Sequence, residues 1–269
     1  MNLPDIIYGT AWKKEATTRL VVEAVRNGFR AIDTACQPKH YDEKRVGDAL
    51  ATLYKEGIKR DELFLQTKFT PLGGQDPNSI PYDKNAPLDQ QVLESFEVSK
   101  KNLQTEYLDS YVLHSPLFPF SELLKVWQAM ESIYRRGEAL NLGISNCYDL
   151  EVLQKLYEKS SIKPAFVQNR FYADSDYDKK LRTWCEKEHI QYQSFWSLTA
   201  NPHILADENI LKLTLKYKKS EAQIFFNFLH SLNIIPLSGT TSQIHMKEDV
   251  AAFDFTLEKS EYQLIENLL

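Results

Sequence analysis

Polar residues stand at the ends of several short apolar runs and could together carry out proton transfer. Asp33, Lys68 and His114 each close a different run, and Ser145–Asn146 closes a fourth. An acid, a lysine and a histidine can hold, donate or accept a proton at a reacting group when they lie close together. The next three runs end at Gln168, Phe195 and Ser238.

Each of these residues also has a structural explanation when it is taken alone. Asp33 can cap a helix, since Thr34 and Ala35 follow it. Lys68 can be a lysine that extends its ammonium group to solvent, and His114 can be a hydrogen-bonded structural histidine. The joint pattern on consecutive runs favours a functional site over three separate structural roles.

The apolar runs that carry these residues alternate with stretches of helical periodicity. Runs of this length are typical of buried strands, and strand–helix alternation predicts parallel strands joined by crossover helices. The predicted strands are residues 6–9, 29–35, 63–69, 107–114, 139–146, 165–169, 190–196 and 233–239. The clearest helical stretches are Arg19–Asn27, Arg45–Tyr54, Gln90–Leu103, Leu123–Tyr134, Leu150–Tyr157 and Tyr177–Glu188.

Eight such units in 269 residues favour a (β/α)8 TIM barrel that occupies residues 1–269 as a single domain. A doubly wound sheet is the competing architecture, but the nine glycines form neither G-x-G-x-x-G nor a phosphate-binding P-loop. In a barrel, the carboxyl ends of the strands converge on one face. The irregular stretch Thr70–Leu88 follows the third strand and is therefore expected to be a functional loop at that face.

Composition excludes several classes of protein. The chain has 43% hydrophobic and 26% charged residues and a net charge of −5, which disfavours a nucleic-acid partner. No apolar stretch is long enough to span a bilayer, and no secretory signal begins the sequence. The three cysteines are far apart and the histidines lack ligand spacing, so we expect no metal. The cytoplasm is the expected compartment, and without a long heptad pattern we expect a monomer.

Six segments in order along the chain resemble the aldo-keto reductases. They are GFRAIDTA with HYDEKRVGDAL, LFLQTKF, YLDSYVLHSPL, LGISNCY, FVQNRFY and IPLSGTTSQIHMKED. These segments are similar to the family's first signature, lysine strand, histidine strand, Ser–Asn turn, glutamine strand and cofactor loop. The form DTACQPKHYDE looks most like fungal members. The resemblance spans nearly the whole chain and implies a TIM-barrel oxidoreductase.

The resemblance implies a catalytic role for four residues. Tyr41 would protonate the carbonyl oxygen, and Lys68 would lower the pKa of that phenol. Asp33 would hold Lys68, and His114 would orient the substrate carbonyl by a hydrogen bond. Eight positions separate Asp33 from Tyr41, whereas five are common in the family, so CQPKH resembles a small insertion. Tyr41 is favoured over His40 because an acidic residue and the V-G helix start follow it.

The resemblance also implies a nicotinamide cofactor. Ser145, Asn146 and Gln168 can supply the donors and acceptors that a carboxamide needs, and Phe195 takes the place of the family's stacking tyrosine. Trp196 would replace Phe195 if the alignment is shifted by one residue, and a packed core aromatic is the alternative. The remaining cofactor residues are predicted to be Thr10, Asp33, Ser197, Leu198, Ser238, Gly239, Thr240, Thr241, His245 and Asp249.

The cofactor loop departs from the family pattern in charge. His245 stands where an arginine is usual, Asp249 where an asparagine is usual, and Leu237 where a lysine often helps. Arginine is the preferred partner of a 2′-phosphate, so these changes weaken the case for NADPH. Lys247 is close by, and family habit still places NADPH ahead of NADH. Trp12, after Gly9–Thr10, is expected to line the substrate pocket or to pack at the barrel mouth.

The predicted activity is reduction of a small-molecule aldehyde or ketone by NAD(P)H, with Tyr41 as general acid and His114 and Trp12 against the substrate. One alternative is a cofactor-binding regulatory subunit, as in the potassium-channel β subunits that share the fold. A second alternative is a Schiff-base aldolase that uses Lys68. A lysine paired with Asp33 would stay protonated and be a poor nucleophile, which ranks the aldolase last.

Overall fold

Eight parallel strands close into a barrel in sequence order, as the alternation of strands and helices predicts. The computed structural model describes residues 3–269. The strands are β1 Ile7–Gly9, β2 Ala31–Asp33, β3 Phe64–Phe69, β4 Ser110–Leu113, β5 Leu142–Ser145, β6 Phe166–Arg170, β7 Gln191–Phe195 and β8 Ile234–Ser238. All eight predicted strands are confirmed. Seven are shorter than their apolar runs, whereas β6 is shifted by one residue and ends at Arg170. The (β/α)8 TIM-barrel prediction is confirmed with them.

Helices surround the barrel and follow the strands. They are α1 Thr17–Arg26, α2 Glu43–Lys55, α3 Leu88–Leu103, α4 Phe120–Arg135, α5 Leu150–Lys159, α6 Lys179–Lys187, α7 Pro202–Leu205, α8 Glu208–Tyr217, α9 Glu221–Ser231, α10 Gln243–Val250 and α11 Lys259–Glu266. Short 3₁₀ turns cover Lys14–Ala16, Arg60–Glu62, Leu72–Gly74, Ala173–Asp178 and Ala251–Phe253. Among residues 3–269, no helix is long and apolar enough to cross a membrane.

Helix α6 begins two residues later than the helical pattern predicts. The sequence predicted Tyr177 as the first residue, but the 3₁₀ turn Ala173–Asp178 precedes the helix and Asp176, Tyr177 and Asp178 have positive φ. The Tyr177 ring is buried in the core. Tyr177 therefore fits the apolar pattern because its side chain is packed, although its backbone is not helical.

The alternation along the strands divides the buried residues into two regions. Side chains on one strand face pack between the barrel and the helices, whereas those on the other face point into the barrel. A small apolar cluster fills the barrel interior and consists of Ile7, Ala31, Phe64, Phe166 and Ile235. Two residues farther along the same strands stand Asp33, Gln66 and Gln168, so the barrel interior changes from apolar to polar toward the carboxyl ends.

The irregular stretch Thr70–Leu88 is anchored at the carboxyl face, and its last residue already belongs to α3. Gln75 Nε2 donates to the carbonyl oxygens of Cys36 (2.9 Å) and Thr70 (3.1 Å). The Tyr82 hydroxyl donates to Thr70 O at 2.9 Å. These bonds hold the loop against the segment after β2, beside the site that β2, β3 and β4 build.

Helices α2 and α3 approach closely at Gly47. A Cβ built on Gly47 would lie 2.0 Å from the backbone oxygen of Asn102 and 3.0 Å from its carbonyl carbon. A backbone atom cannot rotate away, so the two helices would have to separate.

We expect Gly47→Ala to lower the free energy of unfolding by about 1–3 kcal/mol, the usual cost of overpacking, although alanine favours a helix. Denaturant unfolding measures this loss. Gly73→Ala is the control, because no atom lies within 4 Å of its added Cβ. Equal stability of Gly47→Ala and wild type would contradict the close approach.

Candidate active site

A buried ion pair lies at the carboxyl ends of β2 and β3. Lys68 Nζ lies 2.6 and 2.5 Å from the two carboxylate oxygens of Asp33 and donates to Thr34 O at 2.9 Å. Both side chains are almost completely buried. Burial lowers the pKa of Lys68, and the charge of Asp33 opposes that shift. The three ammonium protons have three acceptors, so the lysine is held as a fixed positive group and Asp33 is not a helix cap.

Two glutamine amides bond the carboxylate of Asp33, and a third glutamine bonds both of them. Gln66 Nε2 and Gln168 Nε2 both donate to Asp33 Oδ1, at 2.8 and 3.1 Å. The same two nitrogens donate to Gln193 Oε1, at 2.8 and 2.9 Å, and Gln193 Nε2 donates back to Gln66 Oε1 at 3.1 Å. We call Gln66, Gln168 and Gln193 the amide ring. It fixes the position of the Asp33 carboxylate.

Two members of the amide ring were missed by the sequence reasoning. Gln66 stands two residues before Lys68, and Gln193 two residues before Phe195. Residues two apart on a strand share a face, so both were recognisable as polar side chains directed into the barrel. Gln168 was predicted for the cofactor, but its amide nitrogen is engaged by Asp33 and Gln193. The side-chain oxygen of Gln168, Oε1, is the atom left to accept a hydrogen bond from a ligand.

Tyr41 lies in the segment between β2 and α2 and lines a large cavity at the barrel mouth. The backbone nitrogens of His40 and Tyr41 both donate to Gln37 O at 3.0 Å. This turn directs the Tyr41 ring toward Lys68 Nζ, 5.4 Å from the ring centroid, and toward the His114 ring at 6.0 Å.

The pKa of Tyr41 moves in the opposite direction to the one that the sequence predicts. Burial raises it, and the negative charge of Asp33 raises it further. The expected lowering by Lys68 is absent because Asp33 balances the lysine charge. Within residues 3–269, no hydrogen bond joins the Tyr41 hydroxyl to Lys68. Tyr41 is therefore a fully protonated phenol at neutral pH.

His114 is a neutral imidazole with a fixed ring. Burial lowers its pKa to about 3, and the nearby Lys68 and His40 act in the same direction. Its Nδ1 lies 2.7 Å from Thr70 Oγ1, so one ring nitrogen is already bonded. Thr70 was not singled out in the sequence, although it follows the lysine strand by one residue. The Nε2 atom is left for a ligand in the cavity.

The cavity has a volume of about 1270 Å³ and brings together most of the predicted site. Pockets for single small molecules usually range from about 300 to 1,000 Å³, so this cavity can hold more than one. The predicted residues in its wall are Trp12, Asp33, Tyr41, His114, Ser145, Asn146, Gln168, Phe195, Trp196, Ser197, Leu198, Ser238, Gly239, Thr240, His245 and Asp249.

Three predicted residues lie outside the cavity wall. Thr10 is buried and its hydroxyl donates to Asp33 O at 2.9 Å, so it supports β2. Lys68 lies behind the wall, enclosed by its acceptors. Thr241 is exposed on the loop before α10. The direct cofactor contacts of Thr10 and Thr241 stay predictions, and the buried position of Thr10 disfavours the first of them.

Aromatic side chains form the outer part of the cavity. Trp12 is 59% exposed and Trp196 is 52% exposed, although both line the cavity with Phe195. The Trp12 ring packs on the His40 ring, with centroids 3.8 Å apart, and the backbone nitrogen of Trp12 donates to the backbone oxygen of His40 at 2.7 Å. The His40 ring is therefore packed against Trp12, whereas Tyr41 lines the cavity.

The polar groups after β5 are held by the neighbouring strands. Asn146 has a left-handed backbone (φ 53°), which asparagine tolerates, and its Nδ2 donates to His114 O at 2.8 Å. Ser145 Oγ donates to Gln168 O at 2.6 Å. These bonds fix an amide oxygen and a hydroxyl oxygen beside the cavity, where both can accept hydrogen bonds from a ligand.

The end of the cavity at β8 and α10 is acidic. Ser238 Oγ donates to Asp249 Oδ2 at 2.5 Å, and burial raises the pKa of Asp249 to about 6. Glu248 and His245 line the same end. Among residues 3–269, the lysine and arginine side chains in the cavity wall are Lys13 and Arg170, which the sequence reasoning missed. Lys13 Nζ donates to Gly239 O.

The residues that the structure describes contain no group of three or more His, Cys, Asp or Glu side chains arranged for a metal ion. The polar functions of the site are those of the fixed ion pair, the phenol, the neutral imidazole and the amides. Such a set can orient a carbonyl group and deliver a proton to its oxygen.

Comparison with known proteins finds relatives that match nearly the whole chain. Glyoxal reductase of Bacillus subtilis (strain 168) is 28% identical over 252 residues, 93% of this chain and 83% of that protein. Methylglyoxal reductase DkgA of Escherichia coli (strain K12) is 30% identical over 264 residues, 96% and 87% of the two chains. The crystal structure of a Bombyx mori aldo-keto reductase in complex with NADP has a TM-score of 0.81 and 25% identity, and the match covers 98% of this chain and 89% of that one.

These relatives are bacterial and insect proteins, and the fungal likeness of the segment DTACQPKHYDE stays a prediction. The model of the aldo/keto reductase family matches residues 5–269, nearly the whole length of the sequence. With the closed barrel and the arrangement of its polar residues, this match establishes that the chain belongs to the aldo/keto reductase family.

Proposed function

We propose that the protein reduces a small aldehyde or ketone to an alcohol with a nicotinamide cofactor. The observation that carries the proposal is that Tyr41 and His114 face one cavity while the Asp33–Lys68 ion pair is fixed behind them. A phenol and a neutral imidazole directed at the same space can bond one carbonyl oxygen together.

The residues of the cavity fit a nicotinamide cofactor. Phe195 offers a flat ring for stacking, while Asn146 and Gln168 offer amide oxygens as acceptors for a carboxamide. The volume of about 1270 Å³ suits an extended dinucleotide together with a small substrate. When bound, the cofactor supplies the hydride for reduction.

Each catalytic residue has a separate task in this proposal. His114 donates a hydrogen bond from Nε2 to the carbonyl oxygen, with Thr70 bonding Nδ1 and fixing that tautomer. Tyr41 transfers its phenolic proton to the oxygen as negative charge develops there. Lys68 supports the phenolate that remains, and Asp33 holds Lys68. The raised pKa of Tyr41 keeps the proton donor loaded before reaction.

The relatives suggest the substrate class. Glyoxal reductase and methylglyoxal reductase are named for small dicarbonyls, and we propose dicarbonyls of this size as substrates here. We further propose that residues 1–269 act as one barrel domain and as a monomer. A cytoplasmic location is consistent with the three cysteines, which are free and buried.

The test is a steady-state assay of cofactor oxidation with glyoxal, methylglyoxal and a panel of simple aldehydes and ketones. Turnover that depends on both cofactor and carbonyl supports the proposal. Cofactor binding without turnover of any carbonyl would favour the regulatory-subunit alternative instead. Covalent trapping of a carbonyl compound on Lys68 by borohydride would favour the aldolase, but the three acceptors around that ammonium group disfavour it.

The cofactor preference depends on the acidic end of the cavity. The sequence expectation places NADPH ahead of NADH. Glu248 and Asp249, however, line the cavity together with His245, which stands where the family has its arginine for a 2′-phosphate. We therefore propose that NADH is used about as efficiently as NADPH.

We expect His245→Arg to raise the ratio of kcat/KM for NADPH over NADH by about tenfold or more, because it supplies a charged partner for the 2′-phosphate. Steady-state kinetics with both cofactors measure the ratio. His245→Gln, which adds no charge, serves as the control and is expected to leave the ratio near that of wild type. An unchanged ratio in His245→Arg would show that the 2′-position is bound elsewhere.

A further inference from the structure

Arg170 occupies a position in the barrel that belongs to the site. It is the last residue of β6, two residues after Gln168, and it pairs in register with Phe195 of β7. The strand alternation that directs Gln168 into the barrel therefore also directs Arg170 toward the cavity, whose wall it lines with Tyr41 and His114. None of the roles described above uses this side chain.

Two aromatic rings hold the guanidinium group of Arg170. Its central carbon lies 4.2 Å from the ring centroid of Trp196 and 5.1 Å from that of Tyr172. Its backbone nitrogen donates to the Tyr148 hydroxyl at 3.1 Å, which fixes the chain at this point. Stacking uses the flat faces of a guanidinium, so the N–H donors at its edge stay available for a planar anion.

The guanidinium group of Arg170 lacks a carboxylate partner among the residues that the structure describes. Across residues 3–269, no carboxylate forms an ion pair with it, and its buried Nε atom has no hydrogen-bond partner. Arg60 is different, since it also stacks on a tyrosine but bonds Asp109 at 2.8 Å. Asp33 is already neutralised by Lys68. A guanidinium charge that lines the cavity without a carboxylate partner is one that an anionic ligand would balance.

We propose that Arg170 forms an oxyanion-binding subsite of the cavity. The ligand is a carboxylate or a phosphate that meets the edge of the guanidinium with two parallel hydrogen bonds. If the proposed reductase function holds, two sources are available: a carboxylate carried by the carbonyl substrate, or the diphosphate of the cofactor. Both use the same chemistry, and the experiment distinguishes them.

The test compares wild type with Arg170→Gln, which removes the charge, and Arg170→Lys, which keeps the charge but loses the planar edge. Arg19→Gln is the matched control, because it removes one positive charge from the exposed surface of α1. Three quantities are measured. They are the affinity for inorganic pyrophosphate by calorimetry, the Kd of the cofactor, and the KM values of 4-carboxybenzaldehyde and 4-nitrobenzaldehyde, which differ in charge but little in shape.

We expect wild type to bind pyrophosphate and Arg170→Gln to weaken this binding by about tenfold or more. A matching rise in KM for the carboxylate substrate alone identifies the substrate as the source. A rise in cofactor Kd, with both KM values unchanged, identifies the cofactor diphosphate. Arg170→Lys is expected to lie between wild type and Arg170→Gln.

The proposal is overturned if Arg170→Gln changes pyrophosphate affinity, cofactor Kd and both KM values by less than twofold. The calorimetric measurement needs no turnover. Failure of wild type to reduce any carbonyl would therefore count against the proposed reductase function, while the anion subsite would still be decided by pyrophosphate binding.

Discussion

Tyr41→Phe should lower kcat for carbonyl reduction by about 10²- to 10⁴-fold, the usual contribution of a positioned proton donor. The substitution removes one hydroxyl and leaves the ring beside Lys68 and His114. The Kd of the cofactor should stay within about twofold of wild type, because the lost oxygen serves the developing alkoxide and not the bound ground state. Single-turnover kinetics and a cofactor titration measure the two quantities separately.

The controls for this prediction are chosen by position. Tyr134→Phe removes a hydroxyl from the outer surface of α4 and should leave turnover unchanged. His40→Gln removes the neighbouring imidazole, which packs on Trp12, and should retain most of the activity. If Tyr41→Phe keeps more than a tenth of the wild-type kcat while His40→Gln loses it, the assignment of the acid to Tyr41 is wrong.

Lys68→Met should lower the free energy of unfolding by about 3–5 kcal/mol and should also abolish turnover. The lysine is completely buried with Asp33, so its removal leaves a carboxylate in the barrel without a counter-charge. Asp33→Asn leaves the opposite defect, an ammonium group without a partner. Denaturant unfolding, followed by both fluorescence and circular dichroism, measures the loss in each variant.

The double variant Asp33→Asn/Lys68→Met separates stability from catalysis. It removes both charges, so it should recover part of the unfolding free energy that each single variant loses. Its turnover should stay as low as that of Lys68→Met, since no positive group remains beside Tyr41. Additive losses of stability in the double variant would show that the two side chains do not act as a pair.

The fold was predictable because two features coincide along the chain. Short apolar runs alternate with amphipathic stretches, and no glycine-rich phosphate loop points to an open sheet. The boundary of α6 was less predictable, because Tyr177 is buried at a spacing that continues the helical pattern while its backbone has positive φ. Packing decides burial there, and a hydrophobic pattern reports burial and not backbone dihedrals.

The site was predictable where a residue closes a strand, and Asp33, Lys68 and His114 are of this kind. Thr70 was missed although it directly follows β3, as His114 directly follows β4. Lys13 was missed because its contact depends on how the loop after β1 folds back across the barrel mouth. The direction of the pKa shift of Tyr41 was wrong for a related reason. Residue spacing places a lysine near the tyrosine, but it does not reveal how completely Asp33 compensates that lysine.

Arg170 was missed although its spacing was visible. It stands two residues after Gln168, which the sequence reasoning did select. Residues two apart on a strand share a face, so this spacing alone would have placed Arg170 in the site. The absence of an acidic partner, in contrast, is a property of the folded chain. Only the positions of Trp196 and Tyr172 show that its stacked faces leave the charged edge free.

The amide ring has a consequence for how the site responds to charge movement. Gln66, Gln168 and Gln193 do not titrate, and each bonds its neighbours, so their dipoles keep one orientation at any working pH. Solvent would have to turn its dipoles as charge moved from Tyr41 toward a substrate oxygen. Dipoles that are already oriented need little such reorganisation, and the energy for aligning them is spent once, when the chain folds.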